Sequence, residues 1–164
     1  GLVLGALSVS VLALGCAVQE PAFYEGTWVV TKAYQPGISA HSKEQAAHFL
    51  GSSVTYTPQS AKLDQHVCQS PVYKSEKLKV DDFQSSYKVS IQELGFSNDR
   101  VTQVTLTCED GEFSLGSLML FQENTHAYTL VDGTFFKLEK TAALLFSKHG
   151  VILASAISPS EKWV

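Results

Sequence analysis

The chain has 164 residues, 45% hydrophobic and 17% charged, with 12 Lys and Arg against 16 Asp and Glu. That apolar fraction excludes a disordered chain, the acidic balance gives no electrostatic footprint for nucleic acid, and three cysteines exclude a dense disulfide scaffold. A single domain with a core drawn from nine Phe, six Tyr and two Trp is expected.

Residues 1–19 carry no charged side chain, and Leu2 to Leu14 form an apolar run broken only by Gly and Ser. Such a run of about 13 residues falls short of the roughly 20 that a bilayer span needs and suits the h-region of a signal peptide. Its glycines and serines argue against a buried core helix. No Met, Lys or Arg precedes it, so a basic n-region is expected upstream of Gly1. The run ends in Leu12-Ala13-Leu14-Gly15-Cys16, which resembles the lipobox of bacterial lipoproteins, with Ala13 standing where that family favours Leu. The resemblance implies a signal peptide over 1–15 and lipidation of Cys16 with fatty acyl chains such as palmitate. It also implies a bacterial cell-envelope location facing the periplasm, on the outer membrane in a Gram-negative cell. The membrane is then a partner through the N-terminal lipid. Ordinary signal-peptidase cleavage, with Ala13 and Gly15 as the small pair, is the alternative. Residues 16–25 read as lipidated N-terminus and tether, 26–140 as a β-rich domain, and 141–164 as a tail the sequence does not place. With Cys16 assigned to lipid, the odd thiol disappears and Cys68 and Cys108 remain as a disulfide pair.

Within 26–140, Gly26 to Tyr34 is rich in β-branched and aromatic residues and ends in the turn Gln35-Pro36-Gly37, which predicts a first strand. Ser42-Lys43-Glu44-Gln45 has capping-box spacing, and Ala46, Ala47, Phe49 and Leu50 before Gly51 predict a short helix. Strands are expected from Ser53 to Thr57, Ala61 to Asp64 and Val72 to Val80, around Pro58 and Pro71. Asp81-Asp82-Phe83-Gln84 and Ser90-Ile91-Gln92-Glu93 repeat the capping logic and predict one or two helical turns over 82–95. Val104, Leu106 and Cys108 alternate with polar residues, the period of a half-buried strand. Leu118 to Gln122, His126 to Val131 and Thr134 to Lys140 follow, the last two joined by Asp132-Gly133, the strongest hairpin signal in the chain. Phe136 and Leu138 fall on one face of the last strand, Phe135, Lys137 and Glu139 on the other. In the tail, a helical turn up to His149-Gly150 and an apolar run from Val151 to Ile157 are legible.

Gly26-Thr27-Trp28 resembles the Gly-x-Trp opening of the calycins, the lipocalins and fatty-acid-binding proteins. In that family the Trp plugs the closed end of a barrel, and the helix after the first strand is similar to the fatty-acid-binding variant. Where a lipocalin has an Arg near its last strand to cover the Trp, this chain has Lys137 and Lys140. More broadly, four segments together look like a group of short bacterial envelope proteins of unassigned activity. These are Gly26-Thr27-Trp28, Pro36 to Ala40, Cys68-x-x-Pro71-x-Tyr73 and Asp132-Gly133-x-Phe135-Phe136-x-Leu138. Gly26 and Trp28 are accordingly expected to be structural.

Catalytic signals are sparse. Gly37-Ile38-Ser39-Ala40-His41 nearly spells the Gly-x-Ser-x-Gly nucleophile elbow, but His41 replaces the second Gly, where the strained turn needs a small residue. His41 and His48 would stand about 10 Å apart along a helix, too far to share an ion. His66 and Cys68 would share a strand face, but an oxidised Cys is no ligand. Asp81-Asp82 and Glu109-Asp110 read as solvated cap and turn, and Lys74, Lys77 and Lys79 are offset by Glu76, Asp81 and Asp82. The expected architecture is mainly β, a small antiparallel barrel or strongly curved sheet with one or two short helices. The expected function is non-catalytic, without cofactor or metal: binding of a small apolar ligand or lipid in a lipocalin-like barrel. The alternative is a protein-interaction module, such as a hydrolase inhibitor or a component of an envelope complex. A cavity lined by Tyr, Phe and Leu would favour the first, and a filled core with an exposed loop near Ile38 or Tyr73 the second.

Overall fold

Nine short segments rich in β-formers pair into one antiparallel sheet. The computed structural model describes residues 1, 20–63, 65–97, 99–111, 115–122, 126–141, 145–147 and 150–152. Its strands are β1 (Gly26–Tyr34), β2 (Ser53–Tyr56), β3 (Ser60–Leu63), β4 (His66–Gln69), β5 (Val72–Lys79), β6 (Arg100–Thr107), β7 (Leu118–Gln122), β8 (His126–Val131) and β9 (Thr134–Lys140). They lie in the order β4-β3-β2-β1-β9-β8-β7-β6-β5, all antiparallel, as a curled half-barrel.

Strands β4 and β5 follow one another in the chain with only Ser70 and Pro71 between them, yet they occupy opposite edges of the sheet. The curl must therefore bring the two edges together at this corner. Ser70 takes a left-handed conformation (φ 50°) to make the joint. The expected disulfide ties the same corner: Cys68 on β4 bonds Cys108, which follows β6, with Cα atoms 5.7 Å apart. The Tyr73 hydroxyl on β5 adds a bond of 2.8 Å to the carbonyl of Thr57, beyond β2.

The two faces of the sheet are buried by different means. The concave face carries Trp28, Val30, Ala33, Val54, Tyr56, Val104, Met119, Phe121, Phe136 and Leu138 in one core cluster. A bulge at Thr31, between the pairs Val30↔Leu138 and Lys32↔Lys137, inverts the parity of β1. That is why Trp28 and Val30 point inward before it and Ala33 after it, while Lys32 and Tyr34 turn to the convex face. On the convex face, helix α2 (Val80–Tyr87) and a 3₁₀ turn (Ile91–Leu94) lay Phe83, Val89, Ile91, Leu94 and Phe96 over Val101, Leu120, Tyr128 and Phe135. The Tyr87 hydroxyl donates to Gln103 Oε1 beneath.

Helix α1 (Lys43–Ala47) has the expected capping box: the Gln45 amide donates to Ser42 Oγ at 3.1 Å and the Ser42 amide to Gln45 Oε1 at 2.8 Å. It buries Ala46, and Phe49 just beyond packs on Phe136 with ring centroids 5.1 Å apart. The packed region begins inside the stretch assigned to a tether over 16–25. Phe23 sets its ring edge-on to Phe121 at 5.1 Å, and Tyr24 lies 4.8 Å from Tyr73.

Several local expectations are corrected. Helix α2 starts at Val80 with Lys79 as an N-cap that makes no side-chain bond, so Asp81 and Asp82 do not cap it. They sit in its first turn, where carboxylates favour the positive end of the helix dipole. Strand β4 was not legible. In the tail, β10 (Leu145–Ser147) pairs with β11 (Gly150–Ile152), where a helical turn was expected. Residues 2–19, with Cys16 and almost all of the expected signal peptide, and residues 153–164, with Trp163, lie outside the described residues.

Candidate functional site

Three places bear on function: the Trp28 end of the half-barrel, its concave interior, and the loop at the far end of β1. Trp28 is fully buried, its Nε1 donates to the Tyr24 carbonyl at 2.9 Å, and Phe121 meets its ring edge-on at 5.4 Å. From β9, Lys140 places Nζ 5.4 Å from the Trp28 ring centroid and donates to the Phe23 carbonyl at 3.4 Å. A Cβ on Gly26 would stand 2.8 Å from Lys140 Cε. Gly26, at φ +120°, thus keeps open the lane by which Lys140 reaches across the indole. Lys140, rather than Lys137, covers the Trp.

Among the described residues, the interior is closely packed with side chains. Trp28, Tyr56, Met119, Phe121, Phe136 and Leu138 are each 1% exposed or less, and Tyr56 spends its hydroxyl on the Gly116 carbonyl at 2.7 Å. Beside them Tyr73 is half-buried. Burial, with the charge of Tyr24 and Glu25 nearby, pushes its hydroxyl up to about 12.

At the other end, residues 35–41 form a loop clamped onto the β8–β9 hairpin. The hairpin turns at Asp132 (φ 46°) and Gly133 (φ 84°), both left-handed as a two-residue type I′ turn requires. The Ala40 amide donates to the Asp132 carbonyl at 3.0 Å. Gln35 Nε2 reaches the His41 carbonyl at 3.0 Å and Thr134 Oγ1 at 3.1 Å. Ser39 Oγ meets Thr134 Oγ1 at 2.7 Å and donates to the Asp132 carbonyl at 3.1 Å. At the tip of this clamped loop Ile38 is 100% exposed.

The loop also brings Ser39, His41 and Asp132 together. His41 Nε2 stands 4.0 Å from Asp132 Oδ2, its ring lies 5.5 Å from Phe49, and its Nδ1 is buried without a hydrogen-bond partner among the described residues. Ser39 Oγ also accepts from the His41 amide at 3.1 Å and from Gln35 Nε2 at 3.3 Å. One proton and two lone pairs are then all engaged, so the hydroxyl serves as an anchor of the loop. His48 is exposed at the end of α1 and His66 is exposed on β4 next to the oxidised Cys68. Among the described residues no three His, Cys, Asp or Glu side chains are grouped to hold a metal ion. Asp81, Asp82, Glu109 and Asp110 are exposed, as are Lys74, Lys77 and Lys79 along the edge strand β5.

Sequence reasoning named Ile38 but missed the part Asp132 plays in holding it, because a hairpin signal reports a turn and not what docks on its carbonyl. It also missed the facing of Lys32 and Lys137 on the convex side, which depends on the bulge at Thr31. No family model, curated protein or solved structure matches the chain.

Proposed function

We propose that the protein is a non-catalytic, lipid-anchored envelope protein that acts as a protein-interaction module through the loop 35–41. Its partner would be an envelope hydrolase that it inhibits or a complex that it helps to hold together. The observation that carries this reading is Ile38, wholly exposed on a loop already fixed by hydrogen bonds to the β8–β9 hairpin. A loop fixed in advance loses little freedom on docking, and full burial of an Ile contributes about 1.5–3 kcal/mol. The anchor rests on the lipobox resemblance at Cys16. Six residues separate Cys16 from the packed Phe23. They span at most about 20 Å when extended, which keeps the Trp28 end close to the membrane. Nine residues of β1 then carry the loop about 30 Å outward.

The reading expected first, an apolar ligand or lipid inside the barrel, retains the Gly26-Trp28 resemblance in its favour. The filled interior weighs against it. A photoreactive residue at position 38, compared with one at the exposed Lys62 on β3, tests the choice in intact cells. A discrete adduct to one protein from position 38 alone supports the interaction reading. No adduct from 38, together with stoichiometric lipid in native mass spectrometry, would reverse it.

A further inference from the structure

Strand β5 lies at one end of the sheet. It bonds β6 on one side, from Val72↔Thr107 to Lys79↔Arg100, and among the described residues no strand pairs with its other side. Successive residues of an antiparallel strand direct their amide and carbonyl groups to alternate neighbours, so about half of those of β5 face away from β6. Edges of this kind are ordinarily kept short, bulged or broken by Pro. Strand β5 is eight residues long, pairs with β6 without a register shift, and contains neither Pro nor Gly. Tyr73 joins the concave cluster and Leu78 the convex one, so odd residues of β5 line the concave face and even residues the convex face. On the convex side the strand therefore carries Val72, Lys74, Glu76 and Leu78 in a row. Val72 is 64% exposed, and Lys74 and Glu76 are exposed beside it.

We infer that this edge is the interface of a symmetric dimer, in which β5 pairs antiparallel with β5 of a second copy about a two-fold axis at Ser75. A pairing that keeps each face of the sheet continuous sets even residues opposite even residues. Centred on Ser75, it sets Val72 opposite Leu78 and Lys74 opposite Glu76, each twice by symmetry. Centred on Lys74, it would set Lys74 against itself and Val72 against Glu76. Centred on Glu76, it would set Glu76 against itself and Lys74 against Leu78. Of the three, only the Ser75 register joins opposite charges and covers apolar side chains with apolar ones. Lysines on an edge ordinarily keep other strands away. In this register Lys77 falls opposite Tyr73 and Lys79 lies beyond the ladder, so no lysine faces a lysine. Side chains directly opposite one another stand about 4.5–5.5 Å apart at Cβ, against roughly 7 Å between Lys74 and Glu76 along one strand. The ion pairs therefore form across the seam. The seam is small, so the dimer is a weak one.

The test combines disulfide trapping with sedimentation equilibrium. Trapping uses the full chain carrying Cys16→Ser, so that with Cys68 and Cys108 bonded to each other an introduced thiol is the only free one. Ser75→Cys sets two thiols opposite each other, with Cα atoms about 4.5–5.5 Å apart and within disulfide reach. Lys77→Cys, exposed on the same face of the same strand, leaves its two thiols roughly 13 Å out of register. Under mild oxidation Ser75→Cys should cross-link at least about tenfold faster than Lys77→Cys. Lys74→Glu and Glu76→Lys each create two like-charged pairs across the seam and should raise the dimer Kd at least about fivefold at low ionic strength. The double variant Lys74→Glu/Glu76→Lys restores opposite charges and should recover the parent Kd. A parent chain that stays monomeric up to about 1 mM overturns the interface. Equal cross-linking at positions 75 and 77 overturns the register, and a double variant as weak as the single ones overturns the charge pairing. None of these outcomes depends on what docks at Ile38.

Discussion

Gly133 and Gly95 are both left-handed glycines, at φ +84° and +77°, but they differ in what surrounds them, and that difference isolates the clamp under Ile38. A Cβ at Gly133 would lie 2.4 Å from the Ile38 carbonyl oxygen and 3.2 Å from Ser39 Cα, both backbone atoms that cannot swing aside. At Gly95 a Cβ meets nothing within 4 Å. Gly95→Ala should therefore cost only the left-handed conformation, about 1–2 kcal/mol. Gly133→Ala pays the same and must also lift the loop from the hairpin. That breaks the Ala40 amide and Ser39 hydroxyl bonds to the Asp132 carbonyl, about 1 kcal/mol each. The expected total is about 3–4 kcal/mol, or a Tm lowered by roughly 10 °C against roughly 5 °C for Gly95→Ala. Urea unfolding of the two variants in parallel measures the difference, and the chemical shift of the Ala40 amide reports whether the loop has moved. Equal losses in the two variants, with the Ala40 amide unmoved in Gly133→Ala, would refute the claim that the hairpin fixes the loop.

Replacing both Cys68 and Cys108 by Ser frees the corner where the sheet edges meet. Closing a loop of about 40 residues is worth about 4 kcal/mol in unfolded-state entropy, so the variant should melt far below the parent and exchange β4 amides fastest. An unchanged exchange pattern in β4 would count against the corner's role. Trp28→Ala should cost about 3–5 kcal/mol as a core cavity, whereas Lys140→Met should cost only about 0.5–1 kcal/mol, both measured by denaturant unfolding. In a Trp163→Phe background, Trp28 should emit at short wavelength and resist acrylamide quenching. Tyr73 titrates near 12 in the folded chain against an ordinary 10, so the unfolded chain loses this proton first. The stability it lends is complete below pH 10 and falls as pH rises from 10 towards 12. Tyr73→Phe should flatten that decline in Tm-against-pH curves.

Period-two alternation of Val104, Leu106 and Cys108 located β6, whereas β1 was legible from its β-branched and aromatic residues and β8 and β9 from the Asp132-Gly133 hairpin signal between them. Phe135 was correctly assigned to the opposite face, but its burial was not foreseeable from β9 itself. It depends on Phe83, Ile91 and Leu94 arriving from a segment forty residues earlier. Strand β4 was missed because His66, Val67 and Gln69 are all exposed and only Cys68 points inward, too little for a pattern. The capping box at Ser42 was legible since both bonds are local, whereas the Asp81-Asp82 pair shares its composition without its geometry. At the clamped loop, Ile38 and Ser39 could be named from sequence. Their partner in Asp132 and Thr134 lies more than ninety residues away and leaves no local trace.

The pairing of β1 with β9 also governs the order in which the chain can fold. Strand β1 finds β2 almost at once, but the partner for its other edge, from Trp28↔Lys140 to Tyr34↔Phe135, is made more than a hundred residues later. Until then Gly26–Tyr34, rich in Trp, Val and Thr, presents an open edge to any strand that passes. A ribosome stalled before Thr134, or a nonsense codon there, would release a chain whose first half is complete and whose central seam has no closing strand. Such fragments should aggregate rather than persist as smaller folded units, and the burden of keeping the nascent chain soluble falls on whatever accompanies it during synthesis.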